Sequence, residues 1–189
     1  AGARGAAAAV LAEHHERGGD RAGAALHWAQ AAEQALKADD LAGAVATAER
    51  GVAAGATGET LGLLRSVQAE ALRWRGDFAA CARAAAEALR ELPKGEDRWW
   101  GAVRQLAFAC GVRGELDHLL ALAAVAAEEP RRGGARLQAE AVVATSLRLL
   151  GRREQADEIL AAIEAADLGR ELGSVRASVH GALETRARF

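Results

Sequence analysis

Methionine and tyrosine are absent, aromatic residues amount to 4% of 189, and there are only two cysteines and two prolines. Cys81 and Cys110 form no CxxC pair and do not cluster with histidine, which excludes a disulfide framework and argues against a zinc site; a reducing, cytoplasmic compartment fits. The longest uncharged apolar stretch, 119–127, falls well short of the roughly 20 residues that cross a bilayer. There is no basic block either: 24 Lys and Arg are interspersed with 26 Asp and Glu for a formal charge of -2, so neither nucleic acid nor a membrane is an expected partner. A GxxxxGK[ST] loop is missing, and Lys37 and Lys94 are the only lysines, which disfavours nucleotide binding. Without methionine at position 1, the chain reads as a segment of a longer protein or a processed product. Its apolar opening runs directly into Glu13-His14-His15-Glu16 and reads as the start of a helix rather than a secretion signal.

What the chain does have is alanine, glycine and a period. Apolar residues make up 51% of it, enough for a continuous core in one domain. Alanine supplies much of that share; it is the best helix former and lets backbones approach closely. Asp39-Asp40-Leu41 with Ala44, Gly76-Asp77-Phe78 with Cys81, Gly114-Glu115-Leu116 with Leu119, and Gly151-Arg152-Arg153 with Ala156 recur at steps of 37, 38 and 37 residues. A fixed period of this size marks stacked supersecondary units, each unable to bury its apolar face alone. Glycine, proline and acidic breaks delimit ten helices, at about 5–17, 20–37, 40–54, 59–75, 77–92, 97–113, 115–128, 135–150, 152–167 and 170–187. No alternating run of β-branched and aromatic residues competes with them. The class is therefore all-α. Two-residue turns at Gly76-Asp77 and Gly114-Glu115 predict antiparallel neighbours.

The spacing of small and large residues in each unit resembles the tetratricopeptide repeat (TPR). The unit 61–92 matches best, with Ala69, Leu72, Gly76-Asp77-Phe78, Cys81, Ala85, Ala88-Leu89 and then Pro93. Its predecessor offers Trp28, Ala31-Ala32, Asp40-Leu41, Ala44 and Ala48; its successors offer Leu106-Ala107, Cys110, Gly114, Leu116, Ala123 and Ala126, then Ala144, Leu147, Gly151, Ala156 and Leu160. The period exceeds the usual 34 residues, Leu119 stands where a small residue is expected, and Arg153 stands where an aromatic is expected. The resemblance implies a single right-handed α-solenoid: an N-terminal helix over 1–19, four helix pairs over 20–168, and a capping helix over 169–189 with Leu172, Val175, Val179 and Leu183 as its apolar stripe.

A second, narrower resemblance rests on residues 12–19, 31–36, 48–51 and 72–78, which are similar to the C-terminal helical-repeat region of large bacterial serine/threonine kinases. Those proteins carry an ATPase-like module between kinase and repeats. This segment has no GxGxxG loop, HRD or DFG, so the resemblance implies a signalling protein whose catalytic parts lie elsewhere.

In the TPR family the first helix of each pair lines a concave groove. The resemblance therefore assigns Glu33 and Lys37, then Ser66, Glu70, Arg73 and Trp74, then Arg104, Gln105 and Phe108, then Thr145 and Arg148 to that face. Its arginines suit acidic side chains or a carboxylate through their planar forks. Ala29 and Glu33 occupy positions where chaperone-binding members place Asn and Lys, so the C-terminal carboxylate those members grip is not expected. Trp28 reads as core, and Trp99-Trp100 as rings covering a helix end. Adjacent residues in Glu13-His14-His15-Glu16 point about 100° apart on a helix, against a shared metal. The cysteines read as small buried hydrophobes.

These readings converge on a noncatalytic protein-interaction scaffold with no catalytic residue, metal or cofactor, and with a protein or peptide bearing acidic groups as partner. The alternative is a regulatory sensor that binds a peptide or small molecule and biases an attached kinase or ATPase. The small-residue register has its own consequence. Ala44→Leu or Ala69→Leu costs roughly 1–3 kcal/mol by overpacking, while the same change at an outward alanine is nearly neutral in urea melts; equal costs everywhere would remove the register.

Overall fold

The computed structural model describes residues 2–128 and 133–165. Regular structure among these residues is entirely helical: α1 (Gly2–Arg17), α2 (Arg21–Lys37), α3 (Leu41–Ala53), α4 (Gly58–Trp74), α5 (Phe78–Glu91), α6 (Asp97–Arg113), α7 (Leu116–Glu128), α8 (Gly134–Leu149) and α9 (Arg153–Ala165). These limits fall within two residues of those expected, except that α1 already begins at Gly2. The tenth helix and its stripe lie outside the described residues. None of the described helices is long and apolar enough to cross a membrane.

Among the described residues one chain reversal recurs at five helix ends. The amides of Asp20, Asp40, Asp77, Glu115 and Arg152 reach back to the carbonyls of His15, Ala35, Leu72, Cys110 and Leu147 at 2.9–3.0 Å. Just before each of them sits a left-handed residue: Gly19, Asp39, Gly76, Gly114 or Gly151, with φ between 60° and 80°. This is the Schellman closure, in which carbonyls left over at a helix end are satisfied by a backbone that bends away. The carboxylates of Asp20, Asp40 and Asp77 then accept from the amides of Gly23, Gly43 and Ala80 at 2.9, 2.8 and 3.0 Å. A single aspartate thus closes one helix with its amide and caps the next with its side chain. Recurrence of this turn at 40, 77, 115 and 152 is the physical content of the 37-to-38-residue period.

The chain divides into two compact units, 1–94 and 95–189. In the first, each helix packs on its sequence neighbour, and α2 also packs on α4. Alanines carry most of this core: Ala25, Ala29, Ala32, Ala44, Ala48 and Ala71 close around Leu64 and Val67. Gly51 lets α3 come close, because a Cβ there would lie 2.7 Å from a Leu64 methyl and 3.0 Å from Trp28 Cβ. Trp28 fills the adjoining space among Ala8, Ala12, Ala24 and Ala31. Its indole Nε1 donates to Glu16 Oε1 at 2.8 Å, and the Arg50 guanidinium sits 3.8 Å above its ring.

In the second unit α6 packs on α7 and α8, and α8 packs on both α7 and α9. Arg104 donates to Gln138 at 3.1 Å, and Gly111 abuts Ser146 further along, so α6 and α8 run in the same direction. Trp99 and Trp100, both buried, meet edge to face at 4.8 Å, and Trp100 Nε1 donates to the Gly95 carbonyl at 3.0 Å. Among the described residues α7 and α9 do not pack on each other; both lie against α8 with a cleft left open.

Trp28 is a large ring in a space walled by Ala8, Ala12, Ala24 and Ala31, so its removal leaves a cavity that small neighbours cannot close. Trp28→Ala is expected to destabilise by about 3–5 kcal/mol in urea melts, and a loss under about 1 kcal/mol would contradict its burial.

Candidate partner-binding faces

On α2 the outward stripe is the exposed Leu26, Gln30 and Lys37 with the half-buried Glu33, and Lys37 Nζ lies 4.0 Å from Glu33 Oε2. On α4 the corresponding face carries Leu63, Ser66 and Glu70, each half-buried, and the exposed Trp74. Trp74 is 62% exposed, and the Arg73 guanidinium stacks 4.1 Å from its ring centroid. The groove residues expected in the first unit are thus all at least partly solvent-facing. Lys37 and Arg73 also lie in the last turns of their helices, where positive charge complements the macrodipole.

In the second unit two expectations need correction. Gln105 is 1% exposed and sits in the core. The solvent-facing stripe of α6 is instead Gly101, Arg104, Phe108 and Val112. Arg148 is likewise turned inward: its side chain is 7% exposed and its Nη1 donates to Asp157 of α9 at 2.6 Å. The neighbouring Leu149 is the outward residue, 72% exposed. Both errors have one cause: one residue of helix phase is about 100°, enough to exchange a groove position for a buried one. Thr145 keeps its half-exposed place, with its hydroxyl donating to the Ala141 carbonyl at 2.8 Å. Sequence reasoning did not name Val112 and Leu149, since repeat spacing does not say which apolar residues near helix ends stay uncovered.

The cleft over α8 is a cavity of about 460 Å³. Leu120 and Ala123 of α7, Val143 of α8, and Ile159 and Ala162 of α9 give it apolar walls, and Glu140, Gln155 and Glu158 add polar groups. Arg136 anchors its floor, donating from Nη2 to the Ala126 carbonyl at 2.6 Å and from Nε to Glu140 at 2.8 Å.

The other candidate groups divide sharply. Glu13 pairs with Arg17 and Arg50, Glu16 accepts from Trp28, and His15 meets Asp20 at 2.8 Å while stacking on His27. The Asp20 carboxyl is held below its usual range, first by the Gly23 amide and then by His15. These residues join α1 to its neighbours. Cys110 is fully buried as expected, but contrary to expectation it does cluster with histidine: the α6–α7 turn gathers it with Glu115 and His118, and the donor atoms of the three all lie within 4.8 Å of one another. The signal was present as Cys-x4-Glu-x2-His across a glycine turn. The Arg113 guanidinium, donating at 2.7 Å, holds the Glu115 carboxyl below the ordinary range.

Comparison of the chain with protein-family models, with curated proteins and with solved structures finds no match in any of the three.

Cys81 is fully buried, and that burial pushes its thiol from the ordinary 9.0 to about 11, against the pull of Arg73 toward thiolate. In the unfolded chain the thiol ionises at its ordinary value, so this group's contribution to stability is complete below about pH 9 and declines as pH rises toward 11. The urea midpoint of the wild type is therefore expected to fall more steeply between pH ~8 and ~10.5 than that of Cys81→Ala; parallel curves would contradict the buried neutral thiol.

Proposed function

We propose that this chain is a noncatalytic protein-interaction module: TPR-like antiparallel helix pairs in the manner of an α-solenoid, serving a larger signalling protein of the bacterial serine/threonine kinase kind. Its partner is a protein or peptide with acidic groups. Trp74 carries this reading. A ring 62% exposed, with a guanidinium stacked on it, forgoes burial that a helix face normally obtains, and Trp and Arg are the residues that most often anchor interfaces. Phe108, Val112 and Leu149 give the α6 and α8 faces a similar mixture of apolar surface and nearby arginine. A cytoplasmic location agrees with two buried thiols.

The alternative, a sensor for a small molecule or peptide, draws support from the cleft over α8. Its volume of about 460 Å³ lies within the roughly 300–1,000 Å³ usual for ligand sites, and apolar walls with a few polar groups are their common lining.

One selection separates the two readings. A displayed random-peptide library is panned on the whole chain, and enriched peptides are titrated against Trp74→Ala and Ile159→Trp, with melting checked for each. The interaction reading expects acidic peptides whose affinity drops about tenfold or more, ~1.4 kcal/mol, in Trp74→Ala and stays unchanged in Ile159→Trp. The reverse pattern moves the site to the cleft. Peptides indifferent to both substitutions would leave neither face with a role.

A further inference from the structure

The α6–α7 turn places three different metal-ligand chemistries on one rigid reversal. Cys110 lies in the last turn of α6, Gly114 bends the chain with φ 75°, and the Glu115 amide bonds the Cys110 carbonyl at 2.9 Å. Residues 110 and 115 are therefore held side by side by backbone. Glu115 immediately precedes α7 and His118 lies three residues on, so their side chains share one face.

Donor spacing points the same way. Cys110 Sγ lies 3.4 Å from Glu115 Oε2, and His118 Nδ1 lies 3.5 Å from that same oxygen. Zinc bonds of about 2.3 Å to sulfur and about 2.0–2.2 Å to nitrogen and oxygen give tetrahedral donor–donor edges of about 3.3–3.7 Å. Two of the three edges already have that length. The third, between sulfur and imidazole and within 4.8 Å, closes by rotation of His118, whose side chain is 72% exposed. Arg113 Nε holds Glu115 Oε1 at 2.7 Å, which fixes the carboxylate and turns Oε2 toward the other two donors. An outer hydrogen bond of this kind orients ligating carboxylates.

We propose that Cys110, Glu115 and His118 bind one divalent metal ion of zinc-like preference, with solvent in the fourth position. Thiolate, imidazole and carboxylate together suit zinc, and three protein ligands plus water is its open coordination. On binding, the Cys110 thiol releases its proton to solvent, and the thiolate and carboxylate balance the charge of the ion. None of the three ligands belongs to the outward stripes of α2, α4, α6 and α8 described above.

Cobalt(II) is the probe, titrated into the whole reduced chain. One equivalent is expected to produce the near-ultraviolet thiolate-to-cobalt charge-transfer band and the visible bands of tetrahedral cobalt, both removed by zinc(II). Cys110→Ser abolishes the charge-transfer band, His118→Ala weakens binding by at least about tenfold, and Cys81→Ser changes neither. Because His118 is exposed, its replacement leaves helicity by circular dichroism intact. Absence of the band in the wild type, its survival in Cys110→Ser, or equal affinity in His118→Ala would overturn the site.

Discussion

Close approach of helix backbones at small residues is the constraint on which the rest depends. Ala12, Ala24, Ala32, Ala44, Ala48, Ala69, Ala85, Ala107 and Ala139 are completely buried. A methyl group removes little area from water, so an alanine crossing stabilises only if the two backbones nearly touch and dispersion contacts accumulate. Glycine carries the same logic further at Gly51 and Gly111, where any Cβ would collide with Leu64 or with Ser146. The few large side chains then act as plugs between tightly approached helices, with Trp28 and Leu64 as the clearest cases. Cys81 and Cys110 occupy the same kind of place, which is why neither is exposed.

Such packing requires helices to be started and stopped at accurate positions, and the repeated turn does this. Its left-handed residue is followed at once by the residue whose amide bonds backward, an acid in four of the five turns, so little freedom remains in where the next helix begins. Asp39 shows that the geometry outranks the residue: it adopts φ 60° where the other four turns use glycine. Aspartate is among the few side chains that tolerate this region. The same turn, with glutamate in place of the capping aspartate, sets Glu115 against Cys110 and creates the cluster that includes His118. A device for ending helices thus becomes a device for gathering donors.

The exposed features follow from what this packing leaves outside. Trp74 and Leu149 stay exposed because the alanine crossings consume the opposite face of each helix. The cleft arises from a different cause. Among the described residues α7 and α9 both rest on α8 without meeting, and the buried Arg136 braces the gap through Ala126, Glu140 and the Trp100 ring. A guanidinium in that position keeps its bonds only if the surrounding helices hold their spacing, so the cavity has a supported floor.

The nine described helices, their limits and the recurring turn were legible in the sequence, because glycine, aspartate and alanine act locally and their effects need no distant partner. Burial of Trp28 could be read from its spacing within the repeat. Local rules could not place Gln105 and Arg148, whose side chains are decided by what α8 and α9 present to them. A difference of one residue in helix phase turned one into core and paired the other with Asp157. Nor could they find the cleft, since a void depends on which helices fail to meet. Cys110, Glu115 and His118 were visible as letters, but only the folded turn brought their donor atoms within 4.8 Å. Helix formation follows from nearest neighbours along the chain; the location of a site follows from neighbours in space, and only tertiary structure supplies those.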